Sequence, residues 1–344
     1  MCTGRRRGGC RDERGPAKRR ILTTLKDNQM TTELTYWVNG KFVPASQAVM
    51  PINSRGYRLG DGVYDTERTF QGKIFKLPEH MARLARSLKM ARIELPMSFE
   101  DLARITEEVA ERNRPLLERH GDYWISQTIH RGEGSNPLKA GPPFMSIVVD
   151  PLAFARFAPH YTQGAHLVTP SGRSSGMSGM DPKLKAISRL AMVLADLETH
   201  QVDPDCWSLL MDEHNNLGEV VYGNLFLVRE GKLRTPPGRA ILEGITRGTT
   251  MELARGLGLD VHEQALQPYD LYSAEEAFIT TTSYCILPVS RFNGAKVGEA
   301  IPGPITQRLT VAWKELVGMD FVAQMQTYAA RAAEAKAAPA ARAR

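Results

Sequence analysis

No apolar run in this 344-residue chain approaches the ~18 residues that a membrane-spanning helix needs, so no span is expected. Cysteine is scarce: Cys2, Cys10, Cys206 and Cys285, two near the start and two far apart. That spacing excludes a disulfide framework and a cysteine-based zinc site, and it fits a reducing cytoplasm. No G-x-G-x-x-G follows a strand-like run, which argues against a dinucleotide site. The Gly-containing GEGSNP at 132–137 lacks the Lys-Ser/Thr of a phosphate-binding loop. The first twenty residues contain no apolar stretch of the kind a secretory signal requires. No internal repeat is present.

The body of the chain also lacks excess positive charge. The net charge is +6, yet residues 1–29 hold nine Lys/Arg against three Asp/Glu, and residues 326–344 hold four against one. The part between them is therefore net negative, and the basic character belongs to the two ends rather than to a folded face. A composition of 42% apolar and 24% charged residues is that of a globular protein with ample core, in two domains or one large one.

What is present is an alternation of hairpins and helices. Turns are expected at Asn39-Gly40, Gln71-Gly72, Glu230-Gly231 and Asn293-Gly294, each between strand-like runs. Apolar spacing predicts helices over 78–93 and 98–114, the latter opened by Ser98 with Asp101 three residues on. Two more are expected over 186–200, with Ile187, Leu190, Ala191, Leu194 and Leu197 on one apolar face, and over 245–259. A buried strand is expected at 144–150. The expected organisation is a basic, disordered extension over 1–32, a smaller α/β domain over 33–150 and a connector over 151–161. A larger strand-rich α/β domain over 162–325 follows, then an Ala-rich, frayed tail over 326–344.

Several stretches could carry chemistry. Lys183 and Lys185 stand where a Gly/Ser/Met-rich loop gives way to helix. In LEGITRG (242–248), Gly244 precedes a helix whose first amides, at Ile245 and Thr246, offer an anion site. Thr280, Thr281, Thr282 and Ser283 cluster hydroxyls at a strand end. Glu219 enters an apolar segment, where a carboxylate needs a partner, and Asn224 follows it five residues on. A lysine, a sheltered carboxylate and two phosphate-friendly sites are the fixtures that pyridoxal 5′-phosphate requires.

The order Arg83, Lys185, Glu219, Gly244-Ile245-Thr246, Thr282 resembles the class IV, fold-type IV pyridoxal-phosphate aminotransferases. That family includes branched-chain, D-amino acid and (R)-amine transaminases. GDGVYDTERTFQGKIFKLPEHMARL, with Gly60-Asp61-Gly62, Tyr64, His80 and Arg83, is similar to its N-terminal signature, and GITR, E-x-x-x-x-N and PGPITQ (302–307) add to the likeness over about residues 35–320. The resemblance implies a two-domain α/β (α+β) fold with mixed sheets and hairpins. It implies Lys185 as the Schiff-base lysine, with Lys183 its solvated neighbour. Glu219 would pair with the pyridine nitrogen, and Arg83, Ile245, Thr246 and Thr282 would hold the phosphate. Tyr64, Ser283, Arg131 and Arg189 are the candidates on the substrate side. It further implies a small-molecule amino donor, a 2-oxo acid acceptor and a homodimer, with neither a nucleic-acid nor a membrane partner. The pattern departs from the family in three places: no Arg/His pair follows Arg131, Arg189-Leu190 replaces the tyrosine of branched-chain enzymes, and EVVYGN replaces a small-residue run. Two alternatives remain at this level: a lyase on the same scaffold, resembling aminodeoxychorismate lyase, and a non-catalytic nucleic-acid binder acting through its basic ends.

Overall fold

The computed structural model describes residues 33–173 and 180–337. The basic extension expected over 1–32 and the last residues of the Ala-rich tail lie outside the described residues. The strands are β1 (Thr35–Val38), β2 (Lys41–Pro44), β3 (Gly62–Phe70), β4 (Lys73–Ile74), β5 (Tyr123–His130) and β6 (Phe144–Pro151), then β7 (Ala165–Val168), β8 (Trp207–Met211), β9 (Leu217–Val220), β10 (Gly223–Arg229), β11 (Lys232–Thr235), β12 (Val261–Glu263), β13 (Glu276–Thr281), β14 (Cys285–Phe292) and β15 (Ala295–Lys296). The longer helices are α1 (Leu77–Ala91), α2 (Phe99–Asn113), α3 (Leu190–Thr199), α4 (Ile245–Gly256), α5 (Pro304–Val317) and α6 (Phe321–Ala337).

The first six strands form an antiparallel sheet in the order β2-β1-β6-β5-β3-β4. The others form a mixed sheet, β12-β11-β10-β13-β14-β7-β8-β9, in which β9 also pairs with β10. That last pairing closes the strands from β10 to β9 into a ring. All four expected turns are two-residue hairpin turns with positive φ at both positions: Asn39 and Gly40, Gln71 and Gly72, Glu230 and Gly231, Asn293 and Gly294. Such turns match the right-handed twist of the strands they join.

α1 and α2 pack Leu84, Leu88, Leu102 and Val109 onto Ile125, Ile147 and Val149 of the first sheet. α2 starts where expected, because the Ser98 hydroxyl accepts from Asp101 N–H at 3.0 Å. The second core gathers Leu225, Phe226, Phe278, Ile279, Leu287 and Phe292 between the ring of strands and α4 to α6. The PGPITQ stretch opens α5, whose first amides at Ile305 and Thr306 donate to the buried Glu276 carboxylate at 2.8 and 2.9 Å.

Three expectations are corrected. The helix foreseen over 186–200 begins only at Leu190, because the preceding residues pair with β3 instead. Its apolar face does not turn inward: Leu190, Leu194 and Leu197 are 69, 56 and 59% exposed. The tail foreseen as frayed from 326 is mostly α6, a helix anchored by the fully buried Phe321 and Met325 and by Tyr328, which stacks on Phe154 at 4.9 Å. Ala-rich composition hid this anchoring, since the burying residues are few and widely spaced.

Truncating the α6 anchor should therefore be costly. A Phe321→Ala substitution is expected to lower stability by about 3–5 kcal/mol, the usual cost of deleting a buried aromatic side chain, as read from urea unfolding.

Candidate active site

Lys185 is placed by backbone pairing. Tyr64 N–H donates to Lys185 O at 3.0 Å, Ile187 N–H donates to Gly62 O at 3.1 Å, and Val63 and Ala186 form an antiparallel bridge. The lysine segment thus runs as a short extra strand along the start of β3. Gly62 is required there: a Cβ would lie 2.5 Å from the His130 side chain and 2.8 Å from Ile129 O. Lys183 faces solvent and pairs with Asp181 at 3.1 Å, whereas Lys185 lines a cavity of about 400 Å³.

Glu219 and Asn224 lie opposite each other on β9 and β10, joined by the tight turn Val221-Tyr222, where Tyr222 has φ 68°. Glu219 Oε2 accepts from Leu242 N–H at 3.2 Å, and Asn224 Nδ2 donates to Leu242 O at 3.0 Å. The E-x-x-x-x-N motif is thus a cross-strand clamp on the loop that enters α4. Gly244 closes against it: a Cβ at that position would stand 2.2 Å from Asn224 Oδ1.

α4 begins at Ile245 with Gly244 as N-cap and no side-chain cap, so its first-turn amides remain open, and Gly244, Ile245 and Thr246 line the same cavity. Arg83 reaches this end of the cavity from α1, where its Nη1 donates to Glu243 O at 3.2 Å. Its other two nitrogens grip Asp65 at 2.8 and 2.6 Å, and His80 Nδ1 stands 2.7 Å from the same carboxylate. Burial opposes the charge on Asp65, but Arg83 and His80 outweigh it and hold the carboxyl well below its ordinary range. Thr280 Oγ1 is buried at the cavity wall with no hydrogen-bond partner among the described residues. Thr281 donates its hydroxyl to Tyr222 O at 2.7 Å, while Thr282, in the β13–β14 turn, lines the cavity and lies 3.4 Å from Thr66 O. Ser283 also lines the cavity, and its carbonyl accepts from the buried Arg68 at 2.9 Å.

The cavity's electrostatics oppose the ordinary charge states of its central pair. Burial, followed by the positive charges of Arg83 and Arg189, pushes Lys185 down to about 7, against the pull of Asp65 and Glu219. Burial pushes Glu219 up to about 7, although the Leu242 amide and the charges of Arg189, Lys185 and Arg83 work against it. Lys185 Nζ stands 4.6 Å from the centre of the Tyr64 ring, and Arg189 Nη2 donates to the Tyr64 hydroxyl at 2.6 Å. Of the cofactor and substrate candidates expected from the sequence, only Arg131 is absent from this lining. Its guanidinium binds Asp61 at 3.1 Å and the carbonyls of Ala91 and Arg92 at 2.6 and 2.8 Å.

Residues 62–292 match the family Amino-transferase class IV. This chain is a class IV aminotransferase. It is 31% identical, over 81% of its length and 95% of the relative's, to a Methanocaldococcus jannaschii protein whose name assigns it, provisionally, to the branched-chain-amino-acid aminotransferases. It is 27% identical to the D-alanine aminotransferase of Bacillus licheniformis over 80% of this chain and 94% of that one. Among solved structures, a T.th. branched-chain amino acid aminotransferase with pyridoxamine 5′-phosphate superposes with a TM-score of 0.75 at 29% identity, covering 83% of this chain and 95% of that one. The Escherichia coli branched-chain enzyme gives 0.76 at 28% identity, over the same shares. The fold is accordingly fold type IV, and the activity is pyridoxal-phosphate-dependent amino transfer between an amino acid and a 2-oxo acid.

The aminotransferase cavity fits that cofactor on its own features. A phosphate suits the open amides of α4, the Arg83 guanidinium and the orphaned Thr280 hydroxyl. An aldehyde suits a lysine that is substantially neutral near pH 7. Asp65 is the residue that sequence reading passed over; Thr280 stood in the hydroxyl cluster without a role of its own. The signal for Asp65 was the alternation YDTERTF, which places 65, 67 and 69 together on one face of β3.

The lowered basicity of Lys185 has a direct readout in the cofactor-free protein. Only the neutral amine is nucleophilic, so acetylation of Lys185 should rise with pH through about 7, and it is read against acetylation of the exposed Lys183 in the same sample. Competitive labelling followed by peptide mass spectrometry measures both.

Proposed function

We propose that Lys185 carries the cofactor and serves as the acid–base group of the transfer. The observation that carries this reading is the placing of the Lys185 amine and the Glu219 carboxyl on one cavity whose far end is an anion cradle. In this reading Arg83, the amides of Ile245 and Thr246, and the hydroxyls of Thr246 and Thr282 hold the phosphate, with Thr280 beside them. Glu219, fixed by the Leu242 amide, faces the pyridine nitrogen. When bound, the cofactor supplies an electron sink for the substrate carbon that bears nitrogen. The Lys185 amine, close to half-protonated at neutral pH, would take the proton from that carbon and deliver it to the C4′ carbon of the cofactor, which is the tuning an acid–base group requires. Tyr64 packs against that amine and restricts its swing.

The names of the relatives support branched-chain amino acids or D-alanine as donors, and 2-oxo acids as acceptors. The lysine strand and the first sheet meet the second sheet across the cavity, which supports two lobes joined through 151–161. A homodimer is supported by the exposed apolar stripe of Leu190, Leu194 and Leu197 on α3, which a second copy would cover. A cytoplasmic setting is supported by Cys206 and Cys285, both buried and unpaired. No helix among the described residues is long and apolar enough to cross a membrane.

Two experiments test the catalytic reading. Borohydride reduction of the holoenzyme, followed by digestion and mass spectrometry, should put the pyridoxyl group on Lys185; a label on Lys183 or on no lysine would refute it. A donor panel of L-leucine, D-alanine and (R)-1-phenylethylamine, offered against pyruvate and 2-oxoglutarate, should reveal amino transfer, and an accepted donor alone should convert the pyridoxal absorbance to that of the pyridoxamine form; no such conversion with any donor would indicate the lyase. For the dimer, Leu194→Glu should halve the mass measured by light scattering after gel filtration.

A further inference from the structure

Arg189 has donors without a partner among the described residues. A guanidinium offers five N–H groups. Those of Arg189 meet the Tyr64 hydroxyl at 2.6 Å and the thioether of Met192 at 2.9 Å, and Nε is buried without a partner. Neither acceptor is charged. Among the described residues no carboxylate lies within ion-pair distance of Arg189, whereas the deeper arginine of the cavity, Arg83, is fully matched by Asp65. The guanidinium carbon sits between two rings, 5.1 Å from the centre of Tyr64 and 5.7 Å from that of Tyr222, an arrangement that fixes its direction.

Its surroundings make the missing counter-charge more pronounced. Arg189 is the N-cap of α3, which has no side-chain cap, so the cation stands at the positive end of a helix. It shares the Tyr64 ring with Lys185, whose amine is 4.6 Å from the same centroid. The Arg189 guanidinium and a helix N-terminus therefore converge beside the reacting lysine, and the carboxylates that line the cavity, Glu219 and Asp196, form no ion pair with Arg189 among the described residues. The sequence's other candidate for a substrate carboxylate, Arg131, is bound to Asp61 and two carbonyls outside the lining. Arg156 also borders the cavity, but it is exposed.

We propose that Arg189 binds the carboxylate of the substrate. Arg189 is then the residue by which the enzyme selects carboxylate-bearing donors, and amines without a carboxylate are disfavoured. The carboxylate would accept from the unpartnered edge of the guanidinium and neutralise the cluster, with Tyr64 and Tyr222 holding the fork in plane. This assignment rests on the reading of Lys185 as the cofactor-bearing lysine.

The test compares wild-type holoenzyme with Arg189→Met, Arg189→Lys and Tyr64→Phe. Two non-reacting ligands of one shape, 4-methylpentanoate and 4-methylpentanamide, are titrated by calorimetry, and thermal melting checks that each variant is folded. Wild type should prefer the acid over the amide by about tenfold to a hundredfold, the usual worth of a charge-assisted hydrogen bond. In Arg189→Met that ratio should fall towards one, and Arg189→Lys should recover part of it. In the half-reaction, the preference for leucine over 3-methylbutylamine should fall in parallel. An acid-to-amide ratio in Arg189→Met equal to that of wild type would overturn the proposal. So would a Tyr64→Phe variant that loses the whole preference with the guanidinium intact, since Arg189 would then only position the phenol. Failure of the underlying reading appears separately, as borohydride-reduced wild type with no label on Lys185.

Discussion

Two backbone hydrogen bonds hold the site together, those by which residues 185–187 run alongside the start of β3. They place Lys185 and Arg189 over Tyr64 from one side, while the second sheet brings Glu219 from the other. Without that pairing the lysine would belong to the loop that precedes it, and no side-chain contact here would fix its position. Gly62 is part of the same constraint, because β3 must approach His130 too closely for any side chain at that residue.

The charges around this pairing follow a simple division. Cations away from the reacting centre are matched: Arg83, at the anion end of the cavity, by Asp65, and Arg55 and Arg131 by Asp61. Where chemistry is expected the match is withheld. Lys185 has no ion-pair partner among the described residues, Glu219 has only a backbone amide, and Arg189 has a phenol and a thioether. Burying unmatched groups is costly, and here the cost appears as a lysine and a glutamate drawn towards the same neutral pH. A site stored in that state gains most from a ligand that brings an anion at one end and an aldehyde at the other.

The short motifs turn out to be mechanical. E-x-x-x-x-N clamps the turn at Leu242 from two strands, Gly244 lets that turn close on Asn224, and the open end of α4 results. Each residue is weakly informative alone because its partner is a backbone group distant in sequence.

The sequence by itself determined the local elements: four hairpin turns from their Asn-Gly-like pairs, α1, α2 and α4 from apolar period and caps, and, through its resemblance to a family, the set of residues at the cavity. These follow from interactions within a few residues, which composition and spacing encode. Tertiary structure decided the rest. It started α3 at Leu190 and left its apolar stripe outside, because β3 captured the preceding residues. It removed Arg131 from the cavity by giving it Asp61, and it brought the lysine segment and Thr280 to one cavity. In each case the deciding partner lies tens of residues or more away along the chain, beyond the reach of any local pattern.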